Sequence, residues 1–201
     1  ISEAAVQKGL ATVAGSLDRL IKKEKISATD KEAALAKIKV STDYSALKAA
    51  QLVIEAATEN EALKIKILQE VDALVGPEVL IASNTSSISI TKLAAVTGRA
   101  DKFIGMHFFN PVPMMALVEV IRGLQTSDAT HAAVQALAQQ LGKTPITVKN
   151  GPGFVVNRVL IPMINEAFFV LAEGLATAED IDAGMKLGCN HPIGPLALAD
   201  M

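Results

Sequence analysis

The chain has 201 residues, half of them hydrophobic, no tryptophan and a formal net charge of −2. That length suits one sizeable domain or one and a half, and that charge gives no reason to expect nucleic acid or an anionic membrane as a partner. No apolar run is long enough to span a bilayer, and with Cys189 as the single cysteine no internal disulfide can form, so a reducing, cytoplasmic setting is the default.

Val6, Leu10, Val13, Leu17, Leu20 and Ile21 recur at three- and four-residue steps and predict an amphipathic helix. Lys22, Lys23 and Lys25 lie at its C-terminal end, where the helix dipole favours positive charge. The pattern from Thr29 to Glu32 is that of a capping box and predicts a second, short helix. Strand and helix patterns then alternate. Ile38 to Ser41 is a candidate strand and Leu52 to Ala56 a better one. Residues 60–75 read as a helix with Leu63, Ile67, Leu68, Val71, Leu74 and Val75 on one face, stopped by Gly76 and Pro77. Val79 to Ala82, Phe103 to Met106 and Leu117 to Ile121 are further strands. Ser127 caps a helix that runs to Leu141 and ends at Gly142, and Ile146 to Val148 closes this portion. Strands separated by helices predict an α/β fold with a mainly parallel, doubly wound sheet over residues 1–149.

The character changes at Asn150-Gly151-Pro152-Gly153, a turn followed by a long apolar helix, Phe154 to Leu171, interrupted by Pro162. Thr177 to Asp180 starts another helix, and Gly188 to Pro195 reads as a loop. An all-helical domain is therefore expected over residues 150–201. Ile1 is not an initiator methionine and Met201 follows no closing element, so the chain reads as a segment of a longer protein. No internal repeat stands out.

The most telling stretch is Gly105-Met106-His107-Phe108-Phe109-Asn110-Pro111-Val112-Pro113, followed by Leu117-Val118-Glu119-Val120. A carboxylate inside an apolar run is costly unless it is paired. If the two runs are neighbouring strands, Glu119 reaches the imidazole of His107. The pair then reads either as a buried structural ion pair or as a general base with its orienting acid. In an open α/β sheet ligands gather at the C-terminal ends of the strands. Thr58, Glu59 and Asn60 with Lys64, then Ser83 to Ser87, then His107 with Asn110, all fall there. Helix capping accounts for Asn60 and some of the serines. Asn157 sits among apolar neighbours and needs a partner, either another buried polar group or a ligand. No glycine-rich G-x-G-x-x-G turn occurs in the 201 residues, so the phosphate loop of a dinucleotide fold is expected upstream of Ile1.

With these pieces in place the chain resembles the L-3-hydroxyacyl-CoA dehydrogenases, over essentially its whole length. The resemblance rests on Ser83-Asn84-Thr85-Ser86-Ser87, the segments at 105–113 and 117–120, Pro152-Gly153-Phe154-Val155-Val156-Asn157-Arg158, and Asp180 to Gly188. It implies a Rossmann-type domain lacking its first βα unit, followed by a helical domain. It also implies oxidoreduction between a (S)-3-hydroxyacyl-CoA, 3-hydroxybutyryl-CoA in particular, and the 3-oxoacyl-CoA. The implied cofactor is NAD, with NADP left open, and no metal is called for. His107 would be the catalytic base and Glu119 its orienting partner, while Ser86 and Asn157 would hold the substrate oxygen. Glu59, Lys64, Asn110 and Ser86 match positions that contact the nicotinamide half of the cofactor. Ser16 and Lys23 match positions that contact CoA, although each also reads as part of an ordinary solvated helix end. A homodimer through the helical domain, with Phe168, Phe169 and Val170 at the interface, is implied too, core packing being the other reading of those residues. The segment alone is expected to have little activity without the phosphate loop. Two alternatives remain from the residues: a related dehydrogenase acting on a free 3-hydroxy acid, and a non-catalytic relative that keeps the fold.

Overall fold

The computed structural model describes residues 2–201. Two helices come first, α1 (Glu3–Lys22) and α2 (Ala28–Ala36), and neither buries a residue fully. The cap of α2 lies two residues before the expected one. Ser27 accepts from the Asp30 backbone N–H at 3.1 Å, and the Asp30 carboxylate accepts from the Ser27 N–H at 2.9 Å, so the box is Ser27–Asp30 and not Thr29–Glu32. Ile38 to Ser41 is not a strand: it runs exposed and unpaired into a short 3₁₀ turn at Tyr44–Ala49. β-branched residues favour strands only where a partner edge exists for them to pack beside.

Among the described residues five strands form one sheet in the order of the sequence: β1 (Leu52–Glu55), β2 (Leu80–Ser83), β3 (Phe103–Phe108), β4 (Leu117–Arg122) and β5 (Thr144–Lys149). All neighbours are parallel except β3 and β4, which are antiparallel. The short connector over residues 109–116 is the reason. A parallel return needs a crossover of a dozen residues or more, and this loop has room only for a hairpin-like reversal. Helix α3 (Glu61–Leu74) joins β1 to β2, α4 (Ile90–Ala94) lies between β2 and β3, and α5 (Asp128–Gln140) joins β4 to β5.

Side-chain alternation along the strands divides the core in two. Val53, Ile81, Phe103 and Ile121 pack with Leu68, Val71, Ile90 and Leu93 of α3 and α4 on one face. Ala82, Ile104, Met106, Val118 and Val120 pack with Val134 and Ala138 of α5 on the other. Helices on both faces make the sheet doubly wound. The buried stripe of α3 is Lys64, Leu68 and Val71, continued by Val75; Leu63, expected on that stripe, is exposed. The buried lysine takes the place of the leucine because it has a buried ionic partner, described below.

After β5 the chain is helical: α6 (Val156–Ala172), α7 (Ala178–Gly188) and α8 (Pro195–Ala199). Gly153 and Phe154, at φ +72° and +52°, form a left-handed turn ahead of α6, so Phe154 lies outside the helix expected to begin with it. Pro162 is accommodated within α6. Among the described residues no helix is long and apolar enough to cross a membrane.

Candidate active site

His107 lies within β3, one residue short of its end, rather than after it. In the antiparallel register it faces Glu119 of β4. Its Nδ1 lies 2.7 Å from Glu119 Oε2, and both residues are buried. The other oxygen, Oε1, accepts from the backbone N–H groups of Val155 and Val156, each at 3.0 Å. These are orphan donors at the start of α6, and the positive end of that helix dipole faces the carboxylate. An acceptor-only carboxylate therefore satisfies three donors at once. With Nδ1–H given to Glu119, Nε2 is the nitrogen left to exchange a proton. The rings of Phe109 and Phe154 tilt against the imidazole at centroid distances of 4.6 and 5.7 Å and limit water around it.

The residue after Val156 is Asn157, on the first turn of α6. A pocket of about 580 Å³ is lined there by Asn157, Ser86, Ser87, Gly153, Arg158 and Ile161, among others. Among the described residues neither the Asn157 amide nor the Ser86 hydroxyl has a hydrogen-bond partner in the protein, so both are open to a ligand. His107 is not itself in the lining. It joins this region through Glu119 and the turn at 153–156.

A second, smaller pocket of about 200 Å³ opens beside β1 and is lined by Ala56, Ala57, Thr58, Glu59, Lys64 and Asn84. Glu59 accepts from the Thr85 hydroxyl at 2.8 Å, the Ser86 N–H at 3.0 Å and the Ser87 hydroxyl at 3.3 Å. It thus ties the serine-rich loop after β2 to the end of β1. Asn60 caps α3 by accepting from the Leu63 N–H at 3.0 Å, as the capping reading expects. Lys64 is buried and paired with Glu55. Asn110 is exposed on the loop after β3. Ser16 and Lys23 lie on α1 and at its C-cap and line neither pocket; the Ser16 hydroxyl accepts from Arg19 at 2.8 Å.

Sequence reasoning passed over Glu55 and Asn150, and it placed Ser83 and Asn84 in the polar cluster after β2 without giving either a task of its own. Asn84 Oδ1 accepts from the Phe108 N–H at 2.9 Å and pins the end of β3 beside the loop after β2. Asn150 Oδ1 accepts from the Ile90 N–H at 2.7 Å, and its amide donates to Ser89 at 3.1 Å, anchoring the turn before α6 to the start of α4. Glu55 carried a signal like that of Glu119, a carboxylate in an apolar run, although Glu55 ends its strand and Glu119 lies within one. The amides carried none, since their partners are distant in sequence.

A doubly wound sheet thus carries a buried histidine–carboxylate pair, and the helices that follow the sheet supply the N–H groups that hold its carboxylate. The chain belongs to the 3-hydroxyacyl-CoA dehydrogenase family: residues 1–151 match the model of its NAD-binding domain and residues 153–201 that of its C-terminal domain. It is 48% identical over 200 residues to a 3-hydroxybutyryl-CoA dehydrogenase of Bradyrhizobium diazoefficiens, covering all of this chain and 68% of that protein. It is also 48% identical to one of Clostridioides difficile, with 71% of that protein covered. The crystal structure of (S)-3-hydroxybutyryl-CoA dehydrogenase from Ralstonia eutropha superposes with a TM-score of 0.98 at 77% identity, covering 100% of this chain and 71% of that one.

Proposed function

We propose that the protein interconverts (S)-3-hydroxyacyl-CoA, 3-hydroxybutyryl-CoA in particular, and the 3-oxoacyl-CoA, using NAD. The observation that carries the reading is Glu119 bound at once to His107 and to the start of α6, beside the open donors of Ser86 and Asn157. Family membership and the names of relatives 48% identical to the chain, 3-hydroxybutyryl-CoA dehydrogenases, support the substrate class.

Bound NAD supplies the hydride acceptor for the substrate carbon that bears the hydroxyl. The donors at the ends of β1 and β2, the Lys64 ammonium, the Thr58 hydroxyl and the Asn84 amide, suit the hydroxyl and carboxamide groups of a nicotinamide riboside. During oxidation His107 Nε2 takes the hydroxyl proton; in reverse the imidazolium returns it to the developing alkoxide. Glu119 fixes the tautomer and stabilises the imidazolium. Ser86 and Asn157 donate hydrogen bonds that strengthen as the oxygen gains charge. On this reading the cofactor contacts belong to the sheet portion and Asn157 to the helical portion that follows residue 150.

The test is NADH oxidation with acetoacetyl-CoA by the full-length protein, alongside His107→Gln. Turnover by the natural protein is expected, and its loss in the variant with NADH binding retained. Undiminished turnover in His107→Gln would remove the base assignment. Equal rates with free acetoacetate would favour a free-acid dehydrogenase, and no turnover of any 3-oxo compound a non-catalytic relative.

A further inference from the structure

Lys64 is 1% exposed, and burying an ammonium that deeply is costly unless it is paired and hydrogen-bonded. Its partner is Glu55, the last residue of β1, itself buried. Glu55 Oε2 receives the Lys64 ammonium and, at 2.9 Å, the Ser83 hydroxyl from the end of β2; Oε1 accepts from the Ala57 N–H at 2.8 Å. The Ser83 oxygen lies 3.5 Å from Lys64 Nζ. A surface lysine would be steered by several weak partners. This one is fixed by a carboxylate that is itself held from three directions.

We propose that Glu55 is a positioning residue for the cofactor site: with Ser83 it holds Lys64 so that one ammonium proton is presented to a neutral oxygen of the bound dinucleotide. An ammonium has three donors. One goes to Glu55 and one faces Ser83, which leaves one for the small pocket that Lys64 lines together with Glu59 and Asn84. Glu55 also cancels the charge of Lys64, so what the pocket receives is a directed hydrogen bond rather than a bare cation. Such an arrangement suits a hydroxyl or carbonyl oxygen. A buried ion pair adds little to stability compared with an apolar pair of similar volume. Its position at the ligand edge of the sheet gives it another use.

The inference rests on the reading of this crevice as the NAD site, and the experiment separates the two. NADH affinity is measured by fluorescence titration on the full-length protein and on Glu55→Gln, Lys64→Met, Ser83→Ala and the double variant Glu55→Gln/Lys64→Met, with steady-state KM and kcat for each active form. Lys64→Met is expected to weaken NADH by about tenfold or more, the factor of one charge-assisted hydrogen bond. Glu55→Gln should weaken it similarly, because a carboxamide cannot accept from all three donors, and the KM for NADH should rise by more than kcat falls. The double variant should bind no more weakly than Lys64→Met, since Glu55 then has nothing to position. Ser83→Ala gives a milder loss that also disappears in the Lys64→Met background, and it carries the test if Glu55→Gln does not fold. Losses that multiply in the double variant, or unchanged affinity in Glu55→Gln (in Ser83→Ala, should Glu55→Gln not fold), overturn the proposal while leaving the NAD site intact. A natural protein that binds no NADH overturns both.

Discussion

At the His107–Glu119 contact each carboxylate oxygen has its own task, one toward the ring and one toward the Val155 and Val156 N–H groups. Glutamine at 119 has one acceptor oxygen and one donor amide, so it can serve only one side. If the amide nitrogen turns to His107, Nδ1 must accept, the proton moves to Nε2 and the base is lost. If it turns to the helix, two N–H groups face a third donor. Glu119→Gln should therefore lower kcat by about 10²- to 10⁴-fold, the range of a lost or mis-set general base. It should also lower the thermal midpoint; a kcat within threefold of the natural protein would show that tautomer control is not needed. His131 is a second informative residue. It is half-buried on α5 with Nε2 2.9 Å from Thr147 Oγ1, and burial, then the nearby Arg122 charge, hold its pKa below the ordinary imidazole value. The unfolded chain then binds more protons than the folded one as pH falls below about 6.5, so this contribution is present above that pH and is lost below it. His131→Gln should flatten the fall in thermal midpoint between about pH 7 and 5. An unchanged slope would assign it to other groups.

At the scale of elements, α3 ends on a single side chain. The Arg99 guanidinium pairs with the Asp72 carboxylate at 2.6 Å and donates to the carbonyls of Asp72, Val75, Gly76 and Val79. The Asp72 and Val75 carbonyls stand at the end of the helix, with no further turn to donate to them, and those of Gly76 and Val79 belong to the turn that follows. Arg99→Met should cost about 2–4 kcal/mol in urea unfolding, because it strands buried carbonyls and a carboxylate; lysine should recover only part, lacking the planar fork. A loss under about 0.5 kcal/mol would show that water replaces the arginine freely. Strand β3 carries a different constraint. A Cβ on Gly105 would lie 2.8 Å from Ile121 Cβ and 2.9 Å from the Ile90 side chain. Gly105→Ala should therefore destabilise by about 1–3 kcal/mol through overpacking. Since His107 is two residues along on the same face, it should lower kcat as well.

For the whole molecule, α6 exposes Val159, Ile161, Phe168 and Phe169, while Val170 is half-buried. Of these, Phe168, Phe169 and Val170 are the residues at which the family resemblance implies a homodimer interface. The expectation to be tested is that the full-length natural protein sediments as a dimer and its Phe168→Glu/Phe169→Glu variant as a monomer. Dimers in both would place the interface elsewhere.

The alternation of strands and helices, the caps at Asn60, Ser127 and Thr177, and the run of motifs at 83–87, 105–113 and 152–158 were all legible in the sequence. Such features depend on neighbours a few residues apart, and local chemistry is enough to specify them. The sequence also marked His107 and Glu119 as partners, conditional on their strands lying side by side. Tertiary structure met that condition by making β3 and β4 antiparallel, and it added what no spacing could: the α6 N–H groups on Glu119. It also turned Lys64 inward onto Glu55, made Leu63 exposed, and left Ile38 to Ser41 without a strand to join. In each case the deciding factor was a long-range partner for a charge, a backbone donor or a strand edge. A buried charge or an open strand edge has no stable local solution, so only the folded chain could choose its place.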